Sequence, residues 1–231
     1  MSATAADSSA AMRRRMLVAG LACMLGVVAP PAAFAQSSYV AYFRAVKIDN
    51  TRTVGSLLAR GFDPNTIEPD RGETGMMLAL REGAPGVFRL LLEHPETNVN
   101  VRAFNGDSAL MIACYTGNGE AARALIERGA AVHHPGWTPL HYAAAGGHND
   151  IAQMLMALGA PPDARSPNNT TPMMMAALGG HIMTVKVLLD AGADATLKND
   201  HGMTAIDFAR RNDHQDIVDG LIWRLRRAGK L

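Results

Sequence analysis

The eight histidines are the residues of this chain best suited to chemistry, because imidazole can exchange protons near neutral pH and can bind metal ions. Four of them stand at matched places in the sequence. His141 ends the string T-P-L-H, while His148, His181 and His214 each stand at the start of a predicted helix. We expect His141 to form a hydrogen bond between neighbouring turns, and the other three to start or bridge the second helices. The regular placement favours these structural roles over catalysis or metal binding.

Two other side chains could carry chemistry, but each lacks the companions that the chemistry needs. His133 and His134 are adjacent, and adjacent side chains point apart on an extended segment. We expect an exposed tip there, with a metal site as the alternative. Cys114 could act as a nucleophile only beside a base, and the sequence around it offers none. It is expected to be a small buried residue.

The sequence also lacks the local motifs that identify common enzyme classes. It contains no G-x-S-x-G, G-x-x-x-x-G-K-[ST], H-E-x-x-H or C-x-x-C string. An enzyme or a small-ligand receptor would need polar groups that converge on one pocket. The sequence indicates no such group of residues, so we expect a protein without catalytic activity, metal or cofactor.

The elements that must position these residues are pairs of short helices. Between residues 136 and 168, Thr138-Pro139 opens one helix, with proline at an early position where its missing N–H is harmless. The next helix carries Ile151, Met154 and Leu155 on one face. A pair this short cannot bury its own apolar face, so it must stack on similar pairs.

Similar pairs follow and precede it at a nearly constant interval. Thr171-Pro172 and Thr204 lie 33 and 66 residues after Thr138, and Ser108 and Thr74 lie 30 and 64 residues before it. A period near 33 residues with T-P-L-H-x-A-A and L-L-x-x-G-A resembles the ankyrin repeat. The resemblance covers about residues 39–231.

The resemblance implies an all-α repeat solenoid of about six stacked ankyrin repeats in a single elongated domain. The approximate repeats are 39–70, 71–105, 106–135, 136–168, 169–200 and 201–231. The last predicted helix ends in Arg224, Arg226 and Arg227, and cations at a helix C-terminus are favourable. We interpret this basic end as a polar cap, with a site for an acidic partner as the alternative.

The first 35 residues predict an N-terminal extension and a secretory signal peptide. Arg13–Arg15 precede an apolar core at 16–28, and Ala33–Ala35 has the A-x-A form of a cleavage site. The core is shorter than the roughly 20 residues of a spanning helix. Cleavage after Ala35 would give a soluble periplasmic or secreted protein without membrane insertion. A twin-arginine signal and a lipidated Cys23 are weaker alternatives.

Removal of the leader would leave an almost neutral chain. The full sequence has 22 basic and 21 acidic residues, and the leader contains Arg13–Arg15 and Asp7, which leaves 19 and 20. A net charge of −1 gives no general attraction to nucleic acid or to anionic membranes. Only Cys114 would remain of the two cysteines, so no intrachain disulfide is expected.

In ankyrin proteins the partner lies against a concave face built from hairpin tips and outward positions of the first helices. Carried onto this sequence, the resemblance implies the following protein-binding residues: Arg71, Glu73, Arg81, Glu82, Phe104, Asp107, Tyr115, His134, Trp137, Asn168, Thr170, His201, Met203 and Arg211. We expect Phe104, Tyr115 and Trp137 to form the apolar centre, since aromatic residues dominate binding hot spots. The alternative is that these rings only pack against neighbouring hairpins.

The expected function is that of a secreted, monomeric, non-catalytic module that binds a protein partner of unknown identity. The alternative is a periplasmic inhibitor or immunity-type protein that neutralises a toxic enzyme, or an accessory to an oxidant-defence enzyme. The 14 methionines bear on the latter, because thioethers fill cores but also react with oxidants. We expect most of them to fill the core.

Overall fold

The computed structural model of the chain describes residues 32–231 and the side chains from residue 37 onward. The basic and apolar parts of the predicted leader, including Cys23, lie outside the described residues. Residues 41–231 form one compact unit, whose N-terminal boundary falls inside the first helix. None of the described helices is long and apolar enough to cross a membrane.

Residues 32–231 contain twelve α-helices and no strand. The helices are α1 (Ala32–Lys47), α2 (Thr51–Leu58), α3 (Gly75–Glu82), α4 (Pro85–Glu93), α5 (Ala109–Thr116), α6 (Gly119–Glu127), α7 (Pro139–Gly146), α8 (Asn149–Ala157), α9 (Pro172–Leu178), α10 (Ile182–Asp190), α11 (Ala205–Arg211) and α12 (Gln215–Arg227). Isolated β-bridges close two of the hairpins, at Ile67–Thr74 and Arg102–Ser108. Helix α1 begins before both the predicted cleavage point and the predicted start of the first repeat at residue 39.

The helices of residues 41–231 alternate between two rows. The first helices of successive repeats, α3, α5, α7, α9 and α11, pack side by side in that order, and each is followed by a second helix that packs against it. The predicted all-α solenoid of stacked repeats is therefore confirmed.

The first helices form because each repeat begins with a side-chain cap and then buries apolar residues. Thr74, Ser108, Thr171 and Thr204 each accept a hydrogen bond from the backbone N–H three residues on, which satisfies a donor that the helix leaves free. The second residue after each cap is buried between neighbouring repeats: Met76, Leu110, Leu140, Met173 and Ile206. Each such side chain contributes roughly 1.5–3 kcal/mol by leaving water.

The three histidines at the starts of second helices have a structural role, as predicted, and each joins its repeat to the one before it. Nε2 of His148, His181 and His214 lies 2.9, 3.0 and 3.2 Å from backbone carbonyl oxygens at the ends of the preceding first helices. Glycine precedes His148 and His181, whereas Asp213 precedes His214, and Gly147 shows what the glycine allows. It has a φ of +74°, and a Cβ there would lie 2.5 Å from Nδ1 of His181. Only glycine allows the ring to lie this close to the backbone.

The predicted buried role of Cys114 is seen, but only five of the ten methionines among residues 32–231 are buried, so the expectation that most methionines fill the core holds for half of them. Cys114 is fully buried, and burial raises the pKa of its thiol to about 12, which keeps the sulfur protonated and unreactive near neutral pH. Buried methionines fill the first-helix layer at Met76, Met77, Met111, Met173 and Met174. Met203, expected to be exposed, is half-buried, and Met183 is exposed instead.

Candidate functional site

Two positions in each of the second to sixth repeats follow one another along the first helices, and we call this row the first-helix face. One position is the residue before the helix cap: Glu73, Asp107, Trp137, Thr170 and Met203. The other lies near the end of the first helix: Arg81, Tyr115, Ala145, Leu178 and Arg211. The side chains at these positions change from charged in the second and third repeats to aromatic and apolar in the third to fifth.

The charged part of this face is a network centred on Arg81. Its Nε donates to Glu73 Oε1 at 2.7 Å, and its Nη2 donates to Asp107 Oδ2 at 3.1 Å. The hydroxyl of Tyr142 donates a short hydrogen bond to the other oxygen of Asp107. Both carboxylates are buried, whereas the Arg81 side chain is 33% exposed. The network therefore links the second, third and fourth repeats through paired charges.

The aromatic part of the face surrounds a pocket of about 260 Å³. Its lining consists of Tyr115, Trp137, His141, Tyr142, Ala145 and Met175. The rings of Tyr115 and Tyr142 meet edge to face, with centroids 6.4 Å apart, and Trp137 meets His141 in the same way at 5.2 Å. Edge-to-face contacts are a favourable arrangement of aromatic rings, and the pocket is present in the chain without a partner.

His141 forms part of the pocket wall and is held in its neutral form. Its Nδ1 accepts from the Thr138 N–H at 3.2 Å and from the Thr138 hydroxyl at 2.9 Å. Nε2 lies 2.9 Å from the carbonyl oxygen of Thr170, which can only accept, so Nε2 carries the proton. Burial lowers the pKa of His141 to about 4. The predicted hydrogen bond between neighbouring turns is confirmed.

Tyr142 is the functional candidate that the sequence analysis missed. Burial and its hydrogen bond to Asp107 raise the pKa of Tyr142, so the phenol stays protonated. With His141 neutral as well, neither ring exchanges a proton near pH 7. The pocket lining can bind an apolar side chain by dispersion or a cation through the ring faces. It holds no charged group for acid–base or nucleophilic chemistry.

The predicted apolar centre of Phe104, Tyr115 and Trp137 is wrong for Phe104. Tyr115 and Trp137 line the same pocket, but Phe104 does not. Its ring lies against Gly72 of the preceding hairpin, where an added Cβ would be 2.5 Å from the ring. The backbone N–H of Phe104 also donates to the carbonyl of Arg71 at 2.8 Å, which fixes this position. Phe104 remains 67% exposed, but it is a separate surface residue.

Three of the predicted binding residues are buried, and the expectation of freely exposed side chains is wrong for them. Glu73 and Asp107 are drawn inward by Arg81, as described above. Thr170 is buried because its carbonyl accepts from His141 and its N–H donates to the Ser166 hydroxyl at 3.0 Å. These residues hold the repeats together and present little surface to a partner.

The other predicted residues are distributed over several repeats without forming a second cluster. Exposed members are Arg71, Glu82, His201 and Arg211, and half-buried ones are Asn168 and Met203. Asn168 is held within its hairpin, because its side-chain oxygen accepts from the Ser166 hydroxyl at 2.6 Å. The hairpin tips are thus ordered by their own hydrogen bonds.

The adjacent histidines differ from each other in exposure. His133 is exposed as predicted, but His134 is half-buried. One ring nitrogen of His134 lies 2.9 Å from the Pro135 carbonyl oxygen, and the buried Nε2 has no hydrogen-bond partner. Burial lowers the pKa of His134. Among residues 32–231, no group of three or more His, Cys, Asp or Glu side chains is placed to hold a metal ion.

A second cleft, of about 340 Å³, lies between the second helices α4 and α6. It is formed because the small side chains of Ala121 and Ala124 face the larger Phe88. Arg89 and Glu120 meet across its rim at 3.6 Å, but both are largely exposed and such pairs contribute little. We interpret this cleft as a packing gap between two helices.

Comparison with known proteins identifies the repeat. A family model described as "Ankyrin repeats (3 copies)" matches residues 42–135, 86–166 and 140–226, which together cover most of the chain. Mouse B-cell lymphoma 3 protein homolog is 30% identical over 171 residues, which are 71% of this chain and 38% of that protein.

Two human proteins match shorter parts of the chain. Transient receptor potential cation channel subfamily A member 1 is 33% identical over 122 residues, or 50% of this chain and 10% of that protein. Protein phosphatase 1 regulatory subunit 27 is 44% identical over 63 residues, or 26% of this chain and 41% of that protein. The chain therefore spans less than half the length of each of these relatives.

Proposed function

The chain belongs to the ankyrin repeat family, whose repeats are protein-binding modules, and on this basis we propose that it is a non-catalytic protein that holds a protein partner on its first-helix face. The observation that supports this most directly is the aromatic pocket formed by Tyr115, Trp137 and Tyr142. An open apolar pocket is the form that a binding hot spot takes.

The dimensions and lining of the pocket favour one large side chain of the partner as its occupant. About 260 Å³ accommodates a single aromatic or long aliphatic side chain, and Met175 on one wall can adapt to its shape. Arg81 lies beside the pocket with a third of its side chain exposed. The partner is therefore expected to place an apolar anchor in the pocket and a hydrogen-bond acceptor near Arg81.

The sharpest test is the replacement of Tyr115, which is 54% exposed and contributes one pocket wall. Tyr115→Ala is expected to weaken partner binding by about tenfold or more, since loss of a hot-spot side chain costs about 2 kcal/mol. The free energy of unfolding should fall by less than about 1 kcal/mol, because only the edge contact with Tyr142 is lost. Affinity capture followed by titration with the purified partner would measure binding, and urea denaturation would measure the free energy of unfolding.

Leu158→Ala is the matched control, because Leu158 is 52% exposed and lies outside the pocket, at the end of α8. It should leave binding unchanged. If Tyr115→Ala and Leu158→Ala bind the partner equally, the pocket is not the anchor and the proposal fails. Trp137→Ala is less decisive, because Trp137 also packs on the buried His141.

We further propose that the chain is exported to the periplasm or the medium. The support lies in the sequence, where Arg13–Arg15 precede the apolar stretch 16–28 and Ala33–Ala35 has the form of a cleavage site. N-terminal sequencing of the protein from the extracytoplasmic fraction should give a chain that begins at Gln36. An intact chain confined to the cytoplasm would contradict export without affecting the binding proposal.

A partner that is itself an enzyme is the second candidate. One relative is named as a regulatory subunit of protein phosphatase 1, and it is 44% identical to part of this chain. An inhibitor or immunity-type protein, or an accessory to an oxidant-defence enzyme, would likewise bind an enzyme and change its activity. If the captured partner has an activity, adding the wild-type chain should change that activity, whereas adding Tyr115→Ala should not.

A further inference from the structure

A tryptophan occupies an outward position of the last second helix where the other repeats carry different residues. The position is the ninth after the residue that caps each of the last five second helices: Glu93, Glu127, Ala157, Asp190 and Trp223. The first four are exposed although each is followed by another repeat. The exposure of Trp223 is therefore a property of this position, and stacking of a further repeat would not cover it.

The indole of Trp223 is 61% exposed, which is unusual for the largest apolar side chain. It is not disordered by this exposure, because the guanidinium carbon of Arg227 lies 5.3 Å from the ring centroid, one turn further along α12. A cation over an indole ring is a favourable arrangement that orients both groups. The surface thus presents an ordered aromatic ring with a guanidinium stacked on it.

The charges around Trp223 divide into compensated and uncompensated groups. Arg224 pairs with Asp190 at 3.4 Å, and Lys230 pairs with Asp194 at 3.4 Å. In the described part of the chain, no carboxylate lies within ion-pair distance of Arg226 or Arg227. The acidic Asp219, one turn before Trp223, accepts a hydrogen bond from Gln215 at 2.8 Å. The C-terminal side of the indole therefore carries two unpaired positive charges.

We propose that Trp223, Arg226 and Arg227 form a second binding surface, the Trp223 patch, for an acidic segment of a protein partner. Guanidinium groups bind carboxylates through two parallel hydrogen bonds, and indole provides apolar contact area at a low entropic cost. Trp and Arg are also the residue types most enriched in protein-binding hot spots. The patch lies on a second helix, so this proposal does not depend on the first-helix face.

The number of free cations decides between a protein and a lipid surface. Binding to anionic lipid usually requires a cluster of about four to eight Lys or Arg residues. Two of the four basic residues near the end of α12 are already paired with Asp190 and Asp194. The other two, Arg226 and Arg227, match a short acidic peptide better than a membrane, to which each basic residue contributes only about 1 kcal/mol.

The test uses the full chain and a fluorescently labelled, Glu-rich peptide that contains two leucines. Anisotropy titration should show saturable binding that weakens as salt is added, and the same peptide with Gln in place of Glu should not bind. Trp223→Glu places at this position the residue type that Glu93 and Glu127 provide in other repeats, and it should weaken binding at least tenfold. Arg227→Gln should also weaken it, whereas Arg123→Gln, an exposed arginine on α6, should not.

Circular dichroism melts establish whether the variants are folded. If Trp223→Glu is not folded, Arg227→Gln tests the patch in its place. Tyr115→Ala should bind the peptide normally, which separates this surface from the pocket. Absence of peptide binding, or equal binding by Trp223→Glu and the wild type, would overturn the proposal. Binding to phosphatidylglycerol vesicles that requires Trp223, without binding to the peptide, would overturn it in favour of a lipid surface.

Discussion

Replacing Arg81 by methionine is expected to lower the free energy of unfolding by about 3 kcal/mol. Methionine keeps the length of the apolar stem but removes the only cation between the buried carboxylates of Glu73 and Asp107 in the described network. Breaking a buried pair by removing one partner costs about 3–5 kcal/mol, because the remaining charge is left in a poorly solvated site. The lower end applies here, since the Arg81 side chain is one-third exposed.

Arg211→Met provides a matched control, because Arg211 holds the equivalent position in the last repeat. Arg211 is exposed and is the final residue of α11. Its replacement should change stability by less than about 0.5 kcal/mol, as is usual for surface positions. Urea denaturation of both variants, followed by circular dichroism, measures the difference. Equal destabilisation by the two changes would mean that the Arg81 network contributes nothing beyond an ordinary surface residue.

A further variant can show why Arg81→Met loses stability. If unpaired charge is responsible, adding Glu73→Gln and Asp107→Asn to Arg81→Met should restore a large part of the stability, because neutral amides cost less to bury. An asparagine oxygen at position 107 can still accept from the Tyr142 hydroxyl. If the triple variant is no more stable than Arg81→Met, lost packing of the arginine stem is the better explanation.

The network also connects stability to the proposed binding pocket. Asp107 holds the Tyr142 hydroxyl, and Tyr142 meets Tyr115 edge to face across the pocket. Arg81 therefore acts on the pocket through two intermediate side chains. Reduced partner binding by Arg81→Met would not by itself show that Arg81 contacts the partner, and comparison with Tyr115→Ala is needed to separate the two effects.

The repeat architecture could be predicted from sequence because its signals are local and recur at a fixed interval. Thr138-Pro139 and its counterparts mark helix starts, and the histidines before second helices fall beside glycines at the ends of first helices. Each of these features depends on backbone geometry within one or two repeats. Their recurrence makes the same prediction several times over.

The composition of the site was less predictable because it depends on contacts between unlike side chains in different repeats. Glu73 and Asp107 precede helix caps and seemed free to face a partner, but Arg81 lies 8 and 26 residues from them in sequence and draws both inward. No repeat period relates these residues. Pairing of opposite charges on adjacent first helices was the signal that could have indicated burial.

Tyr142 was overlooked for a related reason. Its position is filled by an apolar side chain in the other aligned repeats: Leu78, Ile112, Met175 and Phe208. Tyr142 is the single member with a polar atom, and a buried phenol usually finds a hydrogen-bond partner. That exception could have directed attention to the acceptor Asp107, which lies on the neighbouring repeat.

Replacing His141 by methionine is expected to remove most of the acid sensitivity that this position gives to the fold. In the native protein, burial lowers the pKa of His141 from 6.5 to about 4. Between these values the unfolded chain takes up a proton that the folded chain excludes, so stability falls as the pH decreases from 6.5 to about 4. The gap between the two pKa values corresponds to about 3 kcal/mol.

Methionine is the informative replacement because the aligned positions in neighbouring repeats already hold it. The sulfur atoms of Met111 and Met174 accept from the N–H of their own helix caps at 3.3 and 3.4 Å, as Nδ1 of His141 does. His141→Met should therefore keep this local contact. It loses the hydrogen bond to the Thr170 carbonyl, which costs about 1–3 kcal/mol near pH 7 because that oxygen is left buried without a donor.

The two effects together predict curves that approach each other as the solution is acidified. The variant should be less stable near pH 7, and the difference should shrink or reverse by pH 4, because only the native protein pays the cost of excluding a proton from His141. Urea denaturation at several pH values measures the difference, from which contributions of all other groups cancel. In the folded protein, protonation of His141 would place an Nδ1–H against the Thr138 N–H donor. Parallel curves across this range, or an NMR titration of His141 near pH 6.5, would therefore show that the imidazole is not held neutral by its hydrogen bonds to Thr138 and Thr170.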